Sequence, residues 1–206
     1  MLIDISPLID ATLTVWPGDT PFVHTVNLDM NAGANLTLSD IRTTVHVGAH
    51  ADAPSHYVAG GADIAARPLD FYLGRCAVVQ VAVERGQRVT PEHIAGKTIG
   101  APRVLFRTGT FPDPRNWNDD FASLSPSLVD TLRERGVVLI GIDTPSVDPF
   151  DSKALEAHQA FARNDMAILE GLVLDGIADG EYELIALPLR LRGADASPVR
   201  AVLRTL

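Results

Sequence analysis

The residues most able to do chemistry lie in one short run, His46-Val47-Gly48-Ala49-His50-Ala51-Asp52-Ala53-Pro54-Ser55-His56. It holds half of the chain's 6 histidines together with a carboxylate. A helix would put His46 and His50 on one face and turn Asp52 away, and Gly48 and Pro54 disfavour a helix in any case. In an extended chain, positions 46, 50, 52 and 56 share one parity and face one side. A straight strand at ~3.3 Å per residue would hold His46 and His50 roughly 13 Å apart. That is at the limit for two imidazoles sharing a cation at about 2.0–2.1 Å. The run is therefore predicted as a strand end that bends at Gly48-Ala49 and curls into a loop. Four polar residues on a wet face are the plainer alternative; the gathering of all four on one side favours metal binding.

Histidine and aspartate without sulfur suit a borderline divalent ion, Zn²⁺ first, with Mn²⁺, Fe²⁺, Co²⁺ or Ni²⁺ open. Cys76 is the only cysteine. This excludes an intrachain disulfide and a thiolate cage, and Cys76 reads as a core residue. Two distant residues invite linkage to the cluster. Glu170 interrupts the apolar run Met166–Leu174, where an unpaired carboxylate is costly to bury. It needs a cation or donors, unless it pairs with an arginine or faces water beside Gly171. His158 lies in a polar helical stretch and by itself reads as a surface histidine. Trp16, before the rigid turn Pro17-Gly18-Asp19-Thr20-Pro21, offers either a packing residue or a flat surface for an aromatic substrate. Trp117 and Phe111 would add a lid wall. His24 and His93 carry no such signal.

The elements that must position these groups are mostly strands. Alternation marks residues 2–6 and 11–16, and β-like runs follow at 22–28 and 35–46, the last delivering the histidines. Residues 57–75 are irregular. Residues 77–83, 103–107 and 137–142 read as buried strands. Thr90-Pro91 opens a helix, and Ser125-Pro126 opens another to Arg135, ended by Gly136. Residues 108–124 form a long loop of the kind that is often functional. A short helix is expected over 153–162 and strands over 182–192 and 199–205; 166–177 is ambiguous between helix and strand. Strands alternating with few helices predict one α/β domain over 1–206 with a mixed sheet flanked by helices.

At 206 residues the chain is long enough for one full core, with 46% hydrophobic and 21% charged residues. A formal charge of −9 argues against nucleic acid as the main partner. Nothing suggests a membrane anchor: there is no basic amphipathic helix, and no apolar run nears the ~18–20 residues that span a bilayer. The opening Met1-Leu2-Ile3-Asp4 lacks the positive region of a signal peptide, so a cytoplasmic protein is expected.

The run from His46 to His56 resembles the H-x-G-x-H-x-D-x-P-x-H signature of the metal-dependent cyclase family; Ala49 stands where many members carry Thr. The chain is similar nearly end to end to one branch, the bacterial kynurenine formamidases. The similarity is carried by Asp4-Ile5-Ser6-Pro7-Leu8, Trp16–Pro21, His50–Pro54, Gly141–Asp148, the Ser152–His158 stretch and Ile168–Leu172. The resemblance implies a swivelling β/β/α-like fold, a homodimer, and hydrolysis of an aromatic formamide, N-formyl-L-kynurenine, at two zinc ions per chain. It places His46, His50 and Asp52 on one zinc, Asp52 bridging to a second held by His158, and Glu170 on or between both. It makes His56 the acid/base and lays Trp16 on the substrate ring. Chemically, paired cations acidify a water, and the leaving aniline nitrogen needs a proton that an imidazole can supply near neutral pH. From the residues alone His56 remains open between that role and a plain ligand. Another hydrolase of the family, isatin hydrolase-like, or a metal-binding protein without turnover are the alternatives. A serine hydrolase is not, since no Gly-x-Ser-x-Gly elbow occurs.

Overall fold

Val104, Leu105 and Phe106 are fully buried on both faces of one strand, which places that strand inside a sheet covered on each side. The computed structural model describes residues 1–206. In chain order its strands are β1 (Leu2–Asp4), β2 (Val23–Leu28), β3 (Leu38–Arg42), β4 (His50–Asp52), β5 (Leu73–Gln80), β6 (Arg88–Val89), β7 (Arg103–Arg107), β8 (Ser123–Leu124), β9 (Leu139–Ile142), β10 (Ala167–Glu170), β11 (Gly180–Ile185), β12 (Ala196–Pro198) and β13 (Val202–Thr205). The helices are α1 (Pro54–Tyr57), α2 (Pro126–Glu134) and α3 (Glu156–Asn164).

Nine strands form one mixed sheet in the order β1-β13-β11-β5-β7-β9-β10-β4-β12. The neighbours β5, β7, β9 and β10 run parallel, and the flanking pairs are antiparallel. The expected single α/β domain with a mixed sheet is what forms. One face packs Val104, Phe106, Ile140 and Ile142 against α2 and α3; the other packs Leu105 and Leu139 against Ile5, Tyr72 and Leu172. The carboxyl ends of the four parallel strands, at Gln80, Arg107, Ile142 and Glu170, point to one edge. No helix is long and apolar enough to cross a membrane. Cys76 is buried as expected, with burial pushing its thiol up to about 12.

Several local expectations give way. Residues 11–16 are turns and irregular chain, because the Asp10 carboxylate accepts from Thr12 N at 2.8 Å and Thr14 N bonds Pro114 O at 3.0 Å. These bonds compete with a strand ladder. The helix expected after Thr90 is a single 3₁₀ turn, Pro91–Ile94. The strands expected over 35–46 and 182–192 shorten to β3 and β11, and residues 166–177 resolve into β10 followed by a turn. The shared parity of positions 46, 50, 52 and 56 does not hold. Only His50 and Asp52 lie on a strand; His46 is in a turn, and Pro54 starts the one-turn helix that carries His56. Proline suits that first helical position, where no N–H is needed.

Candidate metal centre

The bend predicted at Gly48 is present: its φ is 60°. Beside it, Gly171 has φ 65°, and a Cβ there would come 2.2 Å from Gly48 O. Two glycines thus let the turn before β4 press against the end of β10, which brings His50 level with Glu170 in the antiparallel register. His50 Nε2 lies 3.1 Å from Glu170 Oε2, and Val147 N donates to Oε1 at 2.7 Å. Glu170 is 3% exposed and its charged neighbours are His50 and His158, so neither a wet bend nor an arginine partner accounts for it.

His158, 2% exposed, is no surface histidine. Asp148 accepts from the N–H groups of Ala157 (2.9 Å) and His158 (3.0 Å) in the first turn of α3, where a carboxylate is favoured by the unpaired N–H groups. The same Asp148 Oδ2 lies 2.8 Å from His158 Nδ1. That leaves Nε2 directed at Asp52 Oδ2 (3.3 Å) and near Glu170 Oε1 (3.7 Å).

The histidines share one pattern. His50 Nδ1 is held by Gly48 O at 2.9 Å, His158 Nδ1 by Asp148, and His46 Nε2 by Asp195 Oδ2 at 3.0 Å. Each has one nitrogen anchored by an oxygen and the other turned toward the buried carboxylates, the arrangement that orients imidazole ligands on a metal. Asp52 Oδ1 is buried without a well-aligned hydrogen-bond donor, His46 Nδ1 standing 3.1 Å and His50 Nε2 3.5 Å away. Ligand atoms of His46, Asp52 and His56 lie within 4.8 Å of one another, as do those of His50, Asp52 and Glu170. Asp52 is common to both groups. His56 completes the first of them, whereas the family resemblance gave that place to His50.

Burial alone would lower both imidazoles, but their carboxylates prevail: Asp52 and Asp195 raise His46 to about 9, and Asp148 and Asp52 raise His158 to about 10. Burial pushes Asp52 up, but His158 and His46 outweigh it and hold its carboxyl well below the ordinary range. Asp195 also approaches His56, Oδ2 to Nδ1 at 3.1 Å. Partial burial works against its ionisation, yet His46 and His56 keep its carboxyl low.

The cluster floors a cavity of about 820 Å³ over the carboxyl ends of the parallel strands, the usual place for a ligand in such a sheet. Trp16 lines it, tilted over Phe150 at 4.9 Å and edge-on to Trp117 at 5.4 Å. Trp117 and Phe111 line it too, 5.5 Å apart. Of the residues singled out for chemistry, His46, His50, His56, His158, Glu170 and Trp16 line this one space, and Asp52 is buried against three of those histidines. Asp148, Asp195 and Phe150 were missed. Asp148 had no local capping signal, since it lies seven residues before the Leu155 N-cap of α3 and reaches the helix only through the folded loop. Asp195 had none, since only the pairing of β12 with β4 brings it to the histidines.

The family model Cyclase ("Putative cyclase") matches residues 3–149, and the chain belongs to this cyclase family. It is a hydrolase and a homologue of the kynurenine formamidase of Bordetella petrii, with 48% identity over 98% of this chain and 97% of that protein. Among solved structures it is similar to a "potential metal-dependent hydrolase with cyclase activity" (TM-score 0.84, 26% identity, 98% and 96% of the two chains). It also shares its fold with isatin hydrolase A from Labrenzia aggregata (TM-score 0.83, 23% identity, 98% and 93%).

Proposed function

We propose that this chain hydrolyses N-formyl-L-kynurenine to L-kynurenine and formate, with two divalent cations, zinc first, bound at the histidine–carboxylate cluster. In this reading residues 1–206 act as one hydrolase domain. His46, His50, Asp52, His158 and Glu170 hold the cations, His56 is the acid/base, and Trp16 lies against the substrate ring. The observation that carries it is Asp52, whose Oδ1 is buried without a well-aligned donor while anchored imidazoles turn toward it. A buried carboxylate oxygen left so is costly, and a cation there satisfies it. The sulfur-free donor set suits zinc, with manganese or another divalent ion as substitutes. The relationship to the Bordetella petrii formamidase, nearly end to end, supports the substrate.

Cations bound there would acidify a water and draw charge from the formyl oxygen. The remaining work belongs to side chains. Asp195, an acceptor, keeps the proton of His56 on Nδ1, so Nε2 is the nitrogen that takes up and returns a proton. As the carbon–nitrogen bond breaks, the aniline nitrogen accepts that proton and formate departs. Trp16, Trp117 and Phe111 give the aromatic ring an apolar wall and keep water from that end.

The same reading makes the chain a cytoplasmic homodimer. Support for the dimer comes from the β2–β3 hairpin, in which no strand residue is buried. Val26 (47% exposed), Met30 (62%), Leu38 (53%) and Ile41 (65%) have no core beneath them. A lone two-stranded hairpin is marginal in water, and its few charges (Asp29, Asp40, Arg42) suit an apolar, self-complementary contact with a second copy.

The deciding experiment measures turnover of N-formyl-L-kynurenine and of isatin, side by side, by metal-analysed protein with and without chelator. Formamide hydrolysis that chelation abolishes and zinc restores, at close to two ions per chain, is expected. Isatin turnover alone would move the chain to another hydrolysis in its family; bound metal with neither activity would make it a metal-binding protein.

A further inference from the structure

Of the residues lining the cavity, Arg107 is the one arginine or lysine. We propose that Arg107 receives the α-carboxylate of the substrate, making the site selective for an aryl formamide that carries an amino-acid side chain. The inference rests on the formamidase reading above and deepens it.

Arg107 ends β7 and pairs in register with Gln80 at the end of β5. Its Nη2 donates to Gln80 Oε1, and Gln80 N donates to Asp179 Oδ1 at 2.8 Å. Asp179 lies 3.9 Å from Nη2 and its side chain is 47% exposed, so it steadies the guanidinium without neutralising it. Nε is buried without a partner, and Nη1 makes no hydrogen bond within the chain. Gln80 thus engages Nη2 and protein encloses Nε, so the Nη1 end of the guanidinium is the part left for an anion.

The separation suits one small molecule. Leu169 pairs with Gly141 and Phe106 with Ile142, so Glu170 and Phe106 stand level, two strands apart. At ~4.8 Å between strands, the backbones of Glu170 and Arg107 are about 10 Å apart. Alternation puts their side chains on opposite faces of the sheet, and both reach over its carboxyl edge into the cavity. In N-formyl-L-kynurenine the formamide and the carboxylate are joined by an ortho ring junction and a short carbon chain. Laid across the sheet edge, the molecule puts the formyl group at the cluster and the carboxylate toward Arg107. Its ammonium then has Asp19 and Asp175 in the same lining.

The test compares N-formyl-L-kynurenine with 2-formamidoacetophenone, which has the same ring, ortho carbonyl and formamide but no amino-acid group. In Arg107→Ala and Arg107→Gln the ratio of the two kcat/KM values should fall by about 10–100-fold, as expected for losing a hydrogen bond to a charged group. The loss should lie mainly in KM, and Arg107→Lys should recover part of it. L-kynurenine should lose affinity as a product inhibitor in parallel, while 2-aminoacetophenone does not. Zinc content and melting temperature report folding of each variant. Equal losses on both substrates, or an unchanged ratio, would overturn the assignment and leave Arg107 a structural partner of Gln80 and Asp179. Wild-type protein inert toward both formamides would instead sink the formamidase reading, and this proposal with it.

Discussion

Asp195 Oδ2 stands 3.1 Å from His56 Nδ1, and the same oxygen lies 3.0 Å from His46 Nε2. One carboxylate therefore sets the orientation and tautomer of a histidine in the candidate metal cluster and of the histidine beside it. Asp195→Asn keeps the shape but replaces an obligate acceptor with a group that can also donate, which frees both rings. Activity on the formamide should fall by about 10–100-fold, the usual cost of losing a supporting partner of this kind. Metal analysis and steady-state kinetics on the same sample separate the two effects. Metal retained with kcat lost assigns the effect to His56; metal lost assigns it to His46.

Much of this centre was legible in the sequence, for reasons that differ by residue. The bend was forced by the mismatch between strand rise and imidazole reach, and Gly48, at φ 60°, supplies it. Glu170 was visible because a carboxylate inside an apolar run needs a partner, and it has His50 and the Val147 amide. The extended parity of His56 failed because Pro54 was taken only as a helix breaker, whereas at a first helical position it starts one. Asp195 was invisible because its role depends on the β12–β4 pairing, joining segments more than a hundred residues apart with no local pattern. The strand expected at 11–16 was lost to hydrogen bonds with Asp10 and with the distant Pro114 backbone, the latter likewise absent from local periodicity.

Acidity of the cluster gives a pH prediction for the metal-free chain. His46 and His158 are raised from 6.5 to about 9 and about 10 in the folded state. The stability they contribute is complete below pH 6.5 and is lost as pH climbs through those two values, because only the folded state holds the protons there. Chelator-treated protein should therefore melt at progressively lower temperature as pH rises from 6.5 to 10. Zinc competes with the same protons, so loading at pH 7 should release protons and tighten as pH rises. Scanning fluorimetry with and without chelator, and proton uptake or release in weak buffer, check both. A metal-free melting temperature that climbs over this range would contradict the assignment.

The exposed hairpin predicts the assembly. Leu38→Glu with Ile41→Glu puts two charges on residues that are 53% and 65% exposed and touch no core, so the folded protomer should tolerate them. In a dimer joined through this face, the charges are buried without partners and the assembly should dissociate. Light scattering after size-exclusion chromatography should report the mass of one chain for the double variant and of two for the parent. A variant that keeps the parent mass would place the contact elsewhere.

Gly171 joins fold to site most tightly. Its φ of 65° lies in the left-handed region, and a Cβ would fall 2.2 Å from Gly48 O, a backbone atom that cannot swing aside. Gly171→Ala must therefore either strain β10 at its end or push the turn that carries His46 and leads into His50 at the start of β4. The backbone conformation alone costs about 1–3 kcal/mol, and the overlap adds about 1–3 kcal/mol more. Urea unfolding should show that loss in the midpoint with an unchanged slope. Because the displaced turn carries His46 and sets the start of β4 at His50, zinc affinity should weaken along with stability. By contrast Gly176→Ala, also at positive φ (72°) but with nothing within 4 Å of its Cβ, should show only the conformational cost and bind zinc normally. Equal behaviour of the two variants would mean that the close approach of Gly171 to Gly48 does not set the site.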